Sequence, residues 1–167
     1  CYIGSSSLHI IGIRNRIVVV GRNYGNILSM TRALGEAGYE VDVLRLIKKQ
    51  PSKFNLLAKM EPDAHSKYVK NFYKCVVNDQ WCTVIDKLTD MADDVKKTLL
   101  IPVDDYTACI IDDAYSKLSS YYILPSIEGK EREITRLMDK NTQKNMAEEY
   151  NLPMLKSVLI KSHNGEF

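Results

Sequence analysis

Apolar residues follow two alternating rhythms along this chain. Residues 16 to 21, RIVVVG, form a continuous apolar run ending in Gly, which suits a strand buried on both faces of a parallel sheet. The loop Arg22-Asn23-Tyr24-Gly25 follows, and a helix is predicted from near Asn26, which can cap it. Ile27, Met30, Leu34 and Ala37 then recur at helical spacing and share one face. Gly38 ends that helix, and residues 40 to 46, EVDVLRL, alternate as a second strand. Together they make one βαβ unit with a short crossover.

The rhythm repeats downstream. Residues 48 to 67 are polar, hold Pro51 and Pro62, and read as a loop with a short helix. Residues 71 to 77, NFYKCVV, read as a third strand. A helix over about 80 to 96 places Val84, Leu88, Met91 and Val95 on one face, flanked by Ile85 and Ala92. Residues 98 to 103, TLLIPV, are a fourth buried strand. Asp104 and Asp105 follow, either able to cap the helix that starts at Tyr106, whose stripe is Ala108, Ile111, Ala114 and Leu118. Residues 121 to 124, YYIL, form a short fifth strand stopped by Pro125, and the charged stretch 126 to 136 reads as a surface link. Residues 137 to 160, LMDKNTQKNMAEEYNLPMLKSVLI, read as Met-Asp-Lys, a helix capped by Asp139, an Asn-Leu-Pro stop and one more strand. With Phe167 next in line, that strand has little to pair with. The chain therefore reads as the front of a longer protein, and its opening on Cys1 rather than Met reads as a trimmed or processed native start. Strands alternating with helices predict an α/β domain with a doubly wound, mostly parallel sheet of five strands. Ligands bind such sheets at the carboxyl ends of the strands. Two loops lie there, Gly21 to Gly25 and Pro102 to Asp105.

Composition narrows the function classes. The chain has 167 residues, 45% hydrophobic and 26% charged, with a net charge of +2. That is ordinary globular composition with room for one proper core. The small charge and scattered basic residues give no nucleic-acid footprint, and no apolar run approaches the roughly 18 residues that span a bilayer. Cys1, Cys75, Cys82 and Cys109 make no CxxC pair, and His9, His65 and His163 stand apart, so no zinc pattern is present. Reduced, buried thiols and a cytoplasmic location are the expectation.

Three places could carry chemistry. Gly21 and Gly25 give G-x-x-x-G rather than the G-x-G-x-x-G of dinucleotide sites, and Asp42 lies within a strand's alternation rather than clearly at its end. A tight turn that needs two glycines accounts for the spacing, with an anion on the helix start as the functional alternative. Of Asp104 and Asp105, one is accounted for as a cap, while the other could ligate a metal or place a substrate amine. Lys140 sits in a first helical turn, where a cation opposes the helix dipole. A solvated lysine is the simpler account, and a phosphate ligand the functional one. Tyr24, Tyr121 and Tyr122 are read as packing residues.

Taken together, VVVGRNYGNILSMTRALGEAGYEVDVLRL, LLIPVDDYTACIIDD, YYILPS and MDKNTQKNMAEEYNLPMLKSVLI resemble the front of an ATP-grasp enzyme. The nearest branch is that of the carbamoyl-phosphate synthetase large chain and related carboxylate–amine ligases. The resemblance covers about residues 16 to 160. It implies a Rossmann-like pre-ATP-grasp domain over 14–126, a linker over 127–136 and the beginning of the ATP-grasp domain over 137–167. The last segment resembles the family's entry helix, with Asn151 where the family usually has Gly. Asn tolerates the left-handed conformation such a turn requires.

The resemblance implies ATP and magnesium as cofactors of the whole protein, and activation of a carboxylate as an acyl phosphate that an amine then attacks. It carries an ATP-phosphate role onto Lys140 and a substrate-side role onto Arg22, Asn23 and Asp105. It assigns no catalytic residue and no metal ligand here. The 167-residue chain by itself is expected to fold without turning over ATP. Partners are small carboxylate and amine substrates, with no nucleic acid and no membrane, and a homodimer is left open. Two other readings stand beside it: a self-contained nucleotide or nucleotide-sugar binding domain, and a non-catalytic interaction module.

Overall fold

A computed structural model of the chain describes residues 16–48, 61–77, 82–93 and 95–153. The elements in chain order are β1 (Arg16–Gly21), α1 (Tyr24–Glu36), β2 (Glu40–Lys48), β3 (Val69–Val77), α2 (Cys82–Asp90), β4 (Thr98–Pro102), α3 (Asp105–Asp113), α4 (Tyr115–Leu118), β5 (Tyr122–Ile123), α5 (Glu133–Met138) and α6 (Lys140–Glu149). The strands make one five-stranded sheet in the order β3-β2-β1-β4-β5, and all four pairings are parallel. This is the expected doubly wound, Rossmann-like α/β fold. The chain divides into a unit of Cys1–Thr135 and a unit of Arg136–Phe167.

Burial on both faces explains why β1 is apolar throughout. Val18 and Val20 face one layer, with Leu44 and Leu100 beside them and Val84, Leu88, Ile110, Ile111 and Leu118 from α2, α3 and α4 above. Ile17 and Val19 face the other, with Val41, Val43 and Ile27 of α1. Each strand side chain points opposite to its neighbour, so one apolar run serves two helix layers.

Several polar groups of the interior are paired, while Thr31 Oγ1, Thr98 Oγ1 and Asp112 Oδ1 are buried without a hydrogen-bond partner. Asp42 is fully buried on β2. It accepts from Arg16 Nε at 2.7 Å and from Asn71 Nδ2 at 2.9 Å. Tyr122 is buried and donates its hydroxyl to the Leu88 carbonyl at 2.6 Å, and burial pushes that phenol up to about 12. Asp112 of α3 accepts from both the N–H and the hydroxyl of Thr135, a contact within the first unit.

Several expectations shift. The second helix ends at Asp90, and Val95, expected on its buried face, is 85% exposed. The helix expected through Leu118 is broken at Ala114 into α3 and α4. Within the stretch read as a link, Ile127 and Lys130 form an isolated antiparallel bridge and α5 begins at Glu133. The short helix expected within 48–67 and the strand expected after Pro153 fall on residues outside those described.

β5 is only two residues long, pairing with Thr98 and Leu99. Pro125 has no N–H to continue the ladder, and Pro102 has none to offer from β4. Among the described residues, no strand covers the outer edge of β4 beyond Thr98 and Leu99.

Candidate functional site

The strand order reverses between β1 and β4, with β2 and β3 on one side and β5 on the other. At that point the carboxyl ends of two neighbouring strands open a crevice. The loops after β1 and β4 meet there. Val103 N–H donates to the Val20 carbonyl at 3.0 Å, and Asn26 Nδ2 donates to the Val103 carbonyl at 2.9 Å. Gly21 ends β1 with no side chain because none fits. A Cβ there would collide with Val103 Cγ2 and lie 3.0 Å from Asp104 Oδ2.

Asp104 organises the crevice. It is the N-cap of α3, and its Oδ1 accepts from the N–H and hydroxyl of Thr107 at 3.0 and 2.8 Å. Its Oδ2 accepts from the backbone N–H of Arg22 at 2.6 Å. Burial pushes the Asp104 carboxyl up, but these hydrogen bonds and the Arg22 charge outweigh burial and hold it below its ordinary 3.8. Asp104 is thus ionised and fully engaged, and of the two acids it is the structural one. Asp105 is the first residue of α3 and its side chain is exposed.

The Arg22 guanidinium lies over the Tyr106 ring, 3.8 Å from its centroid. Its Nε stands 3.7 Å from Asp104 Oδ1, beyond hydrogen-bond length, and the side chain is 41% exposed. A planar cation is therefore held flat at the mouth of the crevice with much of its surface still in water. Such a group is suited to grip a carboxylate.

The start of α1 departs from expectation. Asn23, not Asn26, is the N-cap, and its Oδ1 accepts from the N–H groups of Gly25 and Asn26 at 2.9 and 3.3 Å. Those are the donors an anion on the helix start would need, so the protein has already used them. The place on β2 beside the end of β1, where a nucleotide ribose would lie, is also filled. Arg45, opposite Gly21 in the sheet, is buried and pairs with the fully buried Asp63 at 2.7 Å, with its guanidinium 5.9 Å from the Tyr24 ring centroid. Burial raises the Asp63 carboxyl, and the Arg45 charge opposes that shift. Arg45 Nε and Asp63 Oδ2 are left without partners. A dinucleotide across this edge thus meets a capped helix and an occupied ribose position.

Of the residues expected on the substrate side, Arg22 and Asn23 stand on the loop after β1 and Asp105 is the first residue of α3. Lys140 belongs to the second unit, where it is the first residue of α6 and is exposed. Asp139 caps that helix through Thr142 N–H at 2.8 Å, as expected. Asn151 adopts φ +52° just past its end, and Leu152 N–H reaches back to the Ala147 carbonyl at 2.8 Å. The left-handed turn expected of Asn at this position is present. Among the described residues, no three His, Cys, Asp or Glu side chains converge as a metal site, so no chemistry through magnesium is assigned. Among them, too, no helix is long and apolar enough to cross a membrane.

Sequence reading missed the Tyr106 stack and the Arg45–Asp63 pair. Both join residues far apart along the chain, and neither has a spacing signal. Only the position of Arg22 and Tyr106 just beyond two adjacent parallel strands could have suggested the stack. No family model, curated protein or solved structure matches this chain.

Proposed function

We propose that this chain is the front of an ATP-dependent carboxylate–amine ligase, with the five-stranded domain supplying the surface that receives the carboxylate. The observation that carries the reading is the crevice itself. Its helix start and ribose position are taken by the protein's own groups, while Arg22 stays exposed and stacked on Tyr106. That arrangement favours a small carboxylate over a nucleotide at this edge.

Arg22 then orients the carboxylate in the plane of its guanidinium, and Asp105 presents an exposed carboxylate suited to an ammonium group. Lys140, exposed at the first turn of α6, is assigned to the ATP phosphates. Bound ATP supplies the phosphoryl group that turns the carboxylate into an acyl phosphate, and an amine then attacks the acyl carbon and expels phosphate.

The test uses the protein expressed from its complete reading frame. Carboxylate-dependent release of ADP is measured with hydroxylamine present, which traps an acyl phosphate as a hydroxamate. Hydroxamate formation that falls by roughly a hundredfold or more in Lys140→Ala is the expected result. ADP release independent of any carboxylate, with no hydroxamate, would discard the ligase. Tight binding of a nucleotide by the 167-residue chain alone, lost in Arg22→Ala, would favour the nucleotide-binding domain instead.

A further inference from the structure

Beside the crevice, the outer edge of β4, which among the described residues no strand covers beyond Leu99, forms an apolar groove of about 440 Å³, lined by Leu99, Leu100, Ile101, Pro102, Leu124 and Pro125. The volume is in the range that holds small organic ligands. The groove exists because β5 stops at Ile123 and Pro125 cannot extend the ladder. For the same reason an added peptide strand finds neither donor, since Pro102 also lacks an N–H. A small molecule needs no ladder.

The groove and the crevice both adjoin the end of β4. Pro102 lines the groove, and Asp104, two residues on, has its Oδ1 3.7 Å from Arg22 Nε. Two residues span at most about 7 Å. An elongated ligand can therefore lie along β4 and reach the Arg22 guanidinium with its charged end. The surface offers one apolar wall and one cation at the end of it, and charge complementarity fixes the ligand's polarity.

We propose that the carboxylate received at this site carries an apolar group, seated in the β4–β5 groove while its carboxylate meets Arg22. The inference rests on the reading of Arg22 as the carboxylate anchor and narrows the substrate to amphiphilic monocarboxylates. Short polar acids satisfy the cation and leave the groove wet. Apolar alcohols fill the groove and make no use of the cation.

The 167-residue chain, labelled with ¹⁵N and at its methyl groups, is titrated separately with acetate, hexanoate and hexanol. Each buried methylene strengthens binding roughly threefold to fourfold. Hexanoate is expected to bind at least about tenfold more tightly than acetate, even with its tail partly wet. It should shift Arg22 together with the Leu99, Ile101 and Leu124 methyls. Arg22→Gln, a surface change whose fold is checked by its own spectrum, should weaken hexanoate to the level of hexanol. Acetate and hexanoate binding alike at Arg22 would overturn the groove and leave the anchor standing. Hexanoate in the groove with unchanged affinity in Arg22→Gln would sever the two and overturn the proposal. No carboxylate shifting Arg22 would remove the anchor, and the substrate reading with it.

Discussion

Removing the Asp104 carboxylate uncaps α3 and releases the loop after β1 in one step. Its two oxygens accept from Thr107 and from the Arg22 backbone. Asp104→Ala is expected to cost about 2–3 kcal/mol, combining a lost cap with a stranded N–H. Asp104→Asn keeps one acceptor and should cost about half that. The fold holds this carboxyl below 3.8, so the unfolded chain binds more protons just beneath that value. Its contribution is therefore complete above about pH 5 and fades as pH falls through the carboxylate range. Urea melts from pH 3 to 7 should show the wild-type advantage over Asp104→Asn shrinking toward acid, and an advantage constant with pH would refute the assignment. Arg45 and Asp63 make a second case. Asp63→Ala leaves a guanidinium buried without its partner and is expected to cost about 3–5 kcal/mol, while the double change Arg45→Met/Asp63→Ala should recover much of it. A double-mutant cycle in urea measures the coupling, and additive losses would show that the two charges do not depend on each other. The amino-acid order carried half of this scale. An acid pair before Tyr106 announced a cap, because capping is local. Nothing announced the partner of Arg45, because that contact joins positions 18 residues apart through space.

At the scale of elements, the join between β1 and β4 rests on a missing side chain. Gly21 faces Val103 and Asp104 so closely that a methyl group there must push the β4 loop away. Gly21→Ala is expected to cost about 1–3 kcal/mol through overpacking. It should also broaden or shift the amide signals of Arg22 and Val103 more than those of β3. Spectra in which those signals stay put would mean that Val103 swings aside without disturbing the crevice. Element identity was largely legible because burial imposes its rhythm on the chain. The run RIVVVG is β1 at the bounds expected, since both of its faces are covered. Ends were less legible. Val95 kept the helical spacing of Val84, Leu88 and Met91, but α2 stops at Asp90, and Asp93 Oδ1 accepts from Val95 N–H in the turn that follows. Spacing alone does not say where a local hydrogen bond ends a helix. The cap of α1 moved from Asn26 to Asn23 for a related reason. Two asparagines were available, and the one with extended backbone took the role while the other reached across to Val103.

At the scale of the whole molecule, the two units differ in what holds them. The sheet unit buries its strands between two apolar layers. α6, in the second unit, has no buried residue and depends on Asp139 at one end and Asn151 at the other. A ten-residue helix with no buried face is marginal in water even when well capped. Its opening therefore costs little, whereas β1 exchanges its amides only when the sheet unit unfolds. Amide hydrogen exchange at neutral pH should find α6 exchanging faster than β1 and β4 by roughly a thousandfold or more. Asp139→Ala should speed α6 by a further roughly fivefold and leave β1 unchanged, since the cap is worth about 1 kcal/mol and its effect stays in its own helix. Protection of α6 equal to that of β1 would mean that its faces are covered in solution, and Lys140 could then not be the exposed cation that the ligase reading needs. The same experiment with added ATP bears on that role. Protection of α6 that rises with ATP in the wild type and not in Lys140→Ala ties the phosphate ligand to this helix. Equal protection in both proteins removes Lys140 from the ATP site and leaves the carboxylate reading of Arg22 to stand or fall by itself.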